Sequence, residues 1–183
     1  MSQLDDILTF NKDFVAKEAY VPYEASGHPA KKLTIVTCMD CRLIELMPKA
    51  LNIRNGDAIV IKCAGGMIED AYGSTMKSIL VSLYELGSEA VYVIGHTDCG
   101  MHGLKAEKMI ADIKKRGAAD HAFEDARKQG VKPEEWLNGF QSVDEQVSRS
   151  VAVVKNHPLL PEGTPVYGLV IDPKTGALRP VND

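Results

Sequence analysis

The sequence predicts an α/β fold: a mostly parallel central sheet, helices on both faces, and an antiparallel edge hairpin at the C-terminus. Three observations predict it. Residues 33–37, 58–63, 90–94 and 166–171 are short runs rich in apolar and β-branched residues, the pattern of strands buried on both faces. Stretches with helical spacing separate them, and that alternation marks parallel strands joined by crossover helices. Residues 177–181 follow the turn Asp172-Pro173-Lys174-Thr175-Gly176 and are placed to pair back as an edge strand.

In chain order, Ser2 and Asp5 form a capping box with Asp in place of Glu or Gln, and Leu4, Ile7, Leu8 and Val15 fall near one face. An amphipathic helix therefore opens the chain. It precedes the first strand, so it must cover its own domain or a partner subunit. Pro22, Gly27 and Pro29 make residues 20–30 a loop. The first strand ends at Cys38, and Leu43, Ile44, Leu46, Met47 and Leu51 then fall at helical spacing. Pro48 predicts a kink or a short helix there. Asn55-Gly56-Asp57 turns into the second strand, which Gly65-Gly66 ends. Met76, Ile79, Leu80, Leu83 and Tyr84 mark a helix closed by Gly87. The third strand runs into Gly95-His96.

Residues 102–140 are more polar. Helices are expected over 104–116 and 119–128, with a short one opened by Pro133. This segment is expected on the outside or as a lid, with Trp136 as a packing anchor. Ser142 to Glu145 reads as a full capping box. Val143, Val147, Val151 and Val154 stripe the helix that follows, and Pro158 stops it. The 183 residues are expected to form a single domain, with residues 1–30 as N-terminal helix and arm and residues 102–140 as a polar helical insertion.

Composition narrows the function. Net charge is -4 and no long basic run occurs, so nucleic acid is not an expected partner. No stretch of 18 apolar residues exists, so no membrane span is expected. The acidic start lacks a positive region before an apolar run, which predicts no secretory signal and a cytoplasmic location. Four cysteines then read as thiols or metal ligands rather than staples.

Two stretches carry the chemistry: Cys38-Met39-Asp40-Cys41-Arg42 and His96-Thr97-Asp98-Cys99-Gly100. Right-handed crossovers align the carboxyl ends of the first three strands at one sheet edge, where open α/β sheets place ligands. Cys38, Ala64-Gly65 and His96 sit at those ends. Cys38, His96 and Cys99 supply two soft sulfurs and one nitrogen, a set suited to zinc, and three protein ligands leave the fourth position open for catalysis. In an extended chain, side chains 38, 40 and 42 point the same way. Asp40 then either orients a water-derived hydroxide on zinc while Arg42 holds it, or binds zinc as a fourth ligand and closes the site. Two thiolates beside the ion predict activity that rises toward alkaline pH.

Gly65 and Gly66 are candidates to present backbone N–H groups to a substrate oxygen. Asp98 reads as a helix cap in preference to a residue that orients a ligand. Cys41 and Cys63 read as non-ligands open to oxidation. His102 reads as solvated, with proton shuttling as the alternative. His28, His121 and His157 carry no readable role.

The order Cys38-x-Asp40-x-Arg42, Ala64-Gly65-Gly66, His96-x-x-Cys99 resembles a β-class carbonic anhydrase of the compact prokaryotic branch. The likeness is close over residues 30–104 and looser to Tyr167 through Asp172. The resemblance implies zinc (Zn2+) on Cys38, His96 and Cys99, an Asp40–Arg42 dyad, and reversible hydration of carbon dioxide to bicarbonate and a proton by zinc-bound hydroxide. It also implies a homodimer or higher homo-oligomer, with active sites at the dimer interface and the N-terminal helix over the partner. Cys41 stands where many members have Ser or Thr, and Cys63 where Asn or Ser is commoner. A few relatives with the same motif hydrolyse carbonyl sulfide or carbon disulfide, so that is the second reading. A non-catalytic zinc or redox-sensing protein, with Asp40 as permanent fourth ligand, is the third.

Overall fold

A computed structural model of the chain describes residues 2–181. Its centre is one five-stranded sheet in the order β2-β1-β3-β4-β5. The strands are β1 (Leu33–Cys38), β2 (Ala58–Cys63), β3 (Ala90–His96), β4 (Val166–Ile171) and β5 (Leu178–Pro180). The first four are parallel, and β5 pairs antiparallel with β4 as the edge hairpin expected.

β2 and β3 flank β1 on opposite sides. A right-handed crossover to one side and then to the other puts successive helices on opposite faces. Accordingly α2 (Leu43–Ala50) and α3 (Ser74–Tyr84) pack in different cores. The strand order reverses beside β1, so the carboxyl ends of β1 and β3 form a crevice.

One face is closed by α3 and by α7 (Val143–Lys155). Met76, Ile79, Val147, Val151 and Val154 pack there against Val36, Val91, Val93, Val166 and Val170. Each such side chain contributes about 1.5–3 kcal/mol by leaving water. The valine stripe sits directly on β3 because Gly95 leaves room. A Cβ there would lie 2.7 Å from Val147 Cγ2 and 2.8 Å from Val143 Cγ2. At the start of α7 the capping box is half formed, with Ser142 Oγ accepting from Glu145 N.

The other face is only partly covered. Leu43 and Met47 of α2 pack with Ile35, Ile94, Ile171 and Phe140, alongside Cys38 and Cys99. Beyond them a cavity of about 210 Å³ opens between Leu33, Ile35, Leu51, Ile53, Tyr92 and Ile94. Tyr92 and Tyr167 lie against one another nearby, ring centres 5.0 Å apart. The opening helix α1 (Gln3–Ala16) has both halves of its capping box, and none of its residues is buried. Leu4, Ile7, Leu8 and Phe10 face away from the chain's own cores and are at least half exposed.

The polar segment holds α4 (Ala106–Lys115), α5 (Asp120–Lys128) and α6 (Pro133–Trp136). Its two ends are tied together: Gly103 N donates to the Phe140 carbonyl at 2.8 Å and Phe140 N to the Met101 carbonyl at 3.2 Å. Phe140 thereby enters the core beside Cys38 and Cys99, so the segment is rooted at the crevice although its tip lies outside. Trp136 is not the packing anchor expected. It is 67% exposed, because Pro133 and Leu137 take the inward positions around this one-turn helix. No helix among the described residues is long and apolar enough to cross a membrane.

Candidate metal centre

Parallel pairing carries β1 and β3 side by side as far as Thr37 and Ile94. Each strand then delivers a side chain into the crevice, Cys38 from β1 and His96 from β3. Asp98 next adopts φ 54°, a left-handed conformation uncommon outside glycine. This turn brings Cys99 back to Cys38, with Sγ atoms 3.8 Å apart. The ligand atoms of Cys38, His96 and Cys99 all lie within 4.8 Å of one another, and all three residues are buried.

These three residues fit a tetrahedral cation. Zinc–sulfur bonds of about 2.3 Å put two sulfurs about 3.8 Å apart across a tetrahedron. His96 Nδ1 lies 2.8 Å from the Thr97 carbonyl, so Nδ1 carries the proton and donates. That leaves the Nε2 lone pair facing the sulfurs, buried and without a hydrogen-bond partner. A buried, unpartnered nitrogen is costly unless something binds it.

Without a cation the charge gathers on one sulfur. The hydrogen bond from Cys99 draws the Cys38 thiol down to about 4 against its burial, and His96 helps. Cys99 is moved up, because it donates that bond and because burial and the neighbouring Cys38 charge oppose a second thiolate. For His96, burial opposes protonation, but Cys38 and the Thr97 carbonyl outweigh it and raise the group. The centre concentrates negative sulfur charge that a cation would compensate.

Asp40 and Arg42 meet, but not by the extended route expected. The strand stops at Cys38, and Asp40 Oδ1 accepts the Arg42 backbone N–H at 2.8 Å, a turn that leads into α2. The Arg42 side chain folds onto the same carboxylate. Nε lies 3.0 Å from Oδ1 and Nη2 lies 2.8 Å from Oδ2. This pair holds the Asp40 carboxyl at about 2. Asp40 Oδ2 is also 3.8 Å from His96 Nε2, at the edge of the metal position.

Asp98 does not cap a helix, since α4 begins only at Ala106. It engages Arg42 instead: Oδ2 accepts from Nη1 at 2.9 Å and its carbonyl from Nη2 at 2.8 Å. Spacing hid this contact, because a turn makes it.

Gly65 and Gly66 sit in a 3-10 turn after β2, each with φ 65°. A Cβ on Gly66 would lie 3.2 Å from Cys38 N, so glycine lets this turn press against the end of β1. Gln146, missed in the sequence, holds the turn from α7. Its Nε2 donates to the Gly66 carbonyl at 3.3 Å and to Ser150 Oγ at 2.9 Å, while Ser150 Oγ accepts from Ile68 N at 3.0 Å. The signal was available, since Gln146 and Ser150 are polar residues at i, i+4 on the buried face.

Cys63 pairs in register with Cys38. Burial pushes its thiol up, and its Sγ donates to the Met67 carbonyl at 3.4 Å. Cys41 is exposed. His102 is fixed rather than merely solvated, with Nε2 donating to the Gln141 carbonyl at 2.9 Å.

Comparison with known proteins adds four findings. Residues 33–178 match the family model described as carbonic anhydrase. The carbonic anhydrase candidate YtiB of Bacillus subtilis is 49% identical over 178 residues, covering 97% of this chain and 95% of that protein. A carbon disulfide hydrolase of Acidithiobacillus thiooxidans is 31% identical over 177 residues, covering 92% and 86%. Among solved structures, β-carbonic anhydrase isoform I of Trichomonas vaginalis superposes with a TM-score of 0.90 at 31% identity, over 100% of this chain and 99% of that one. Residues 102–140 are therefore included in the aligned length.

Proposed function

The chain belongs to the β-class carbonic anhydrase family, and from that premise we propose that it catalyses the reversible hydration of carbon dioxide to bicarbonate and a proton, with zinc held by Cys38, His96 and Cys99. One observation carries the reading. A buried Cys-His-Cys set has an ionised carboxylate at its open side, Asp40 Oδ2, 3.8 Å from His96 Nε2.

Zinc bound there supplies a Lewis acid that lets a coordinated water ionise near physiological pH. The protein's own groups do the rest. His96 keeps its proton on Nδ1, against the Thr97 carbonyl, so Nε2 remains a donor atom for the ion. Asp40, at the open side of the set, would accept a hydrogen bond from the oxygen that attacks carbon dioxide and so orient it. Arg42 keeps Asp40 ionised and fixes its orientation through the bidentate pair. Gly65 and Gly66 offer backbone N–H groups to a substrate oxygen. Met67 and Phe140, which pack in the same core as Cys38 and Cys99, give a small apolar substrate a dry wall.

Stopped-flow carbon dioxide hydration on zinc-loaded protein tests this. A large zinc-dependent rate is expected. No rate above buffer, with one zinc per chain, overturns it. The relative that hydrolyses carbon disulfide and the thiol at Cys63 beside Cys38 favour a sulfur analogue as the second reading. Sulfide release from carbonyl sulfide or carbon disulfide separates the two.

The active form is a homodimer or a higher homo-oligomer. Helix α1 has no buried residue, while the sheet face bearing Tyr92, Leu51 and Ile53 is incompletely covered. A two-fold exchange, each α1 lying over the partner, satisfies both surfaces at once. Met39 and Ile44, beside the crevice and 65% and 63% exposed, fit an interface that reaches the active site. Sedimentation showing a stable monomer at micromolar concentration overturns this.

A further inference from the structure

We propose that Asp98 is a positioning residue: it anchors the Arg42 guanidinium and thereby keeps the Asp40 carboxylate on Arg42 and off the metal position. The inference rests on the metal-centre reading above and extends it to a residue outside the ligand set and the Asp40–Arg42 pair.

The guanidinium is held along two different edges. Asp40 takes the edge formed by Nε and Nη2, at 3.0 and 2.8 Å. Asp98 takes Nη1 with its carboxylate at 2.9 Å and the second hydrogen of Nη2 with its carbonyl at 2.8 Å. The two acids do not compete for one N–H. Four of the five donors of a rigid planar fork are engaged, so Arg42 cannot turn without breaking contacts to both.

The backbone at Asp98 points the same way. At φ 54° glycine would be unstrained, whereas any side chain is disfavoured. Asp tolerates this region by bonding to local backbone, yet here Oδ2 bonds to Arg42. The side chain is 68% exposed, so the ion pair adds little to stability. Its effect is on where Arg42 sits. Asp40 Oδ2 is already 3.8 Å from His96 Nε2, so a small movement of an unanchored Arg42–Asp40 pair carries the carboxylate into the open position. Besides Arg42, Lys174 and His96 act on the Asp98 carboxylate only through space.

The test uses full-length protein loaded with cobalt(II), whose visible absorption reports the fourth position. Azide is titrated at one fixed pH. Asp98→Gly removes the side chain and suits the left-handed backbone. Asp98→Asn suits that backbone and keeps a neutral acceptor for Nη1. The azide dissociation constant is expected to rise about fivefold in Asp98→Gly, the scale of one exposed charged contact, because azide must now displace Asp40. Asp98→Asn is expected to recover most of the affinity. In an Arg42→Ala background Asp98→Gly is expected to change nothing further, since its effect passes through Arg42. Unchanged azide affinity in Asp98→Gly overturns the proposal, as does an equal loss in the Arg42→Ala background. Failure of Asp98→Gly to hold one cobalt per chain also overturns it, because Asp98 would then be supporting the ligand turn itself. Should the unsubstituted protein fail to bind cobalt or azide, the metal-centre reading falls with it.

Discussion

The sulfurs of Cys38 and Cys99 stand 3.8 Å apart although the residues are 61 positions apart in the chain. Both are buried, and the unpartnered Nε2 of His96 lies beside them. With a cation removed, the folded state keeps crowded thiols and an unsatisfied nitrogen. Chelation is therefore expected to lower thermal stability. A ligand present at a thousandfold over its dissociation constant contributes about 4 kcal/mol, which in a chain of this size corresponds to about 8–16 °C in Tm. Calorimetry of zinc-loaded and chelated protein checks this. Cys99→Ser is expected to weaken zinc binding by more than about a hundredfold, beyond the loss typical of a residue that only orients a ligand.

The pH profile follows from the same sulfurs. With zinc held by Cys38 and Cys99 as thiolates, two negative charges would stand next to the ion, and it would ionise a bound water at higher pH than three neutral imidazoles would allow. Raising the pH moves more of the enzyme into the reactive form, and activity is expected to climb from neutral to alkaline pH. Asp40 does not produce the rise, because Arg42 holds its carboxyl at about 2 and it is ionised throughout that range. Stopped-flow rates across pH check this, and a flat or falling profile contradicts it.

Gly95 offers a packing test one residue before His96. In Gly95→Ala the new Cβ would lie 2.7 Å from Val147 Cγ2, and α7 must move away. Overpacking of this kind costs about 1–3 kcal/mol. Urea denaturation is expected to show that loss, together with weaker zinc binding as the end of β3 shifts.

Helix α1 gives the clearest test of assembly. Ile7 is 59% exposed on a helix none of whose residues is fully buried. Ile7→Glu is expected to leave the fold of the chain intact by circular dichroism and to shift sedimentation toward monomer. A charge placed in an apolar interface without a partner is strongly unfavourable. On the proposed dimer, activity per chain is expected to fall with assembly, since Met39 and Ile44 beside the crevice would stay exposed.

The parallel sheet, the edge hairpin and the placing of Cys38 and His96 at strand ends were legible in the sequence. Each depends on local signals: apolar runs, helical spacing and turn residues. Handed crossovers convert those signals into a topology, which is why residues remote in sequence were expected at one edge. The valine stripe of α7 is legible from helical spacing, while the polar Gln146 and Ser150 share its buried face. Trp136 reads as a packing anchor in the sequence, whereas in the structure Pro133 and Leu137 take the inward positions around the one-turn helix.

What the sequence by itself determined is the strand–helix order and the set of sulfur, nitrogen and carboxylate groups at the carboxyl edge of the sheet. Tertiary structure decided how those groups face one another: the turn that folds Arg42 onto Asp40, the left-handed Asp98 that takes the other edge of the guanidinium, and the sheet face left partly uncovered. The physical reason is range. Periodicity reports which side of a strand or helix avoids water, a property of neighbouring residues. The direction of a hydrogen bond across a crevice depends on backbone angles at turns and on atoms from three separate elements, and no local pattern encodes it.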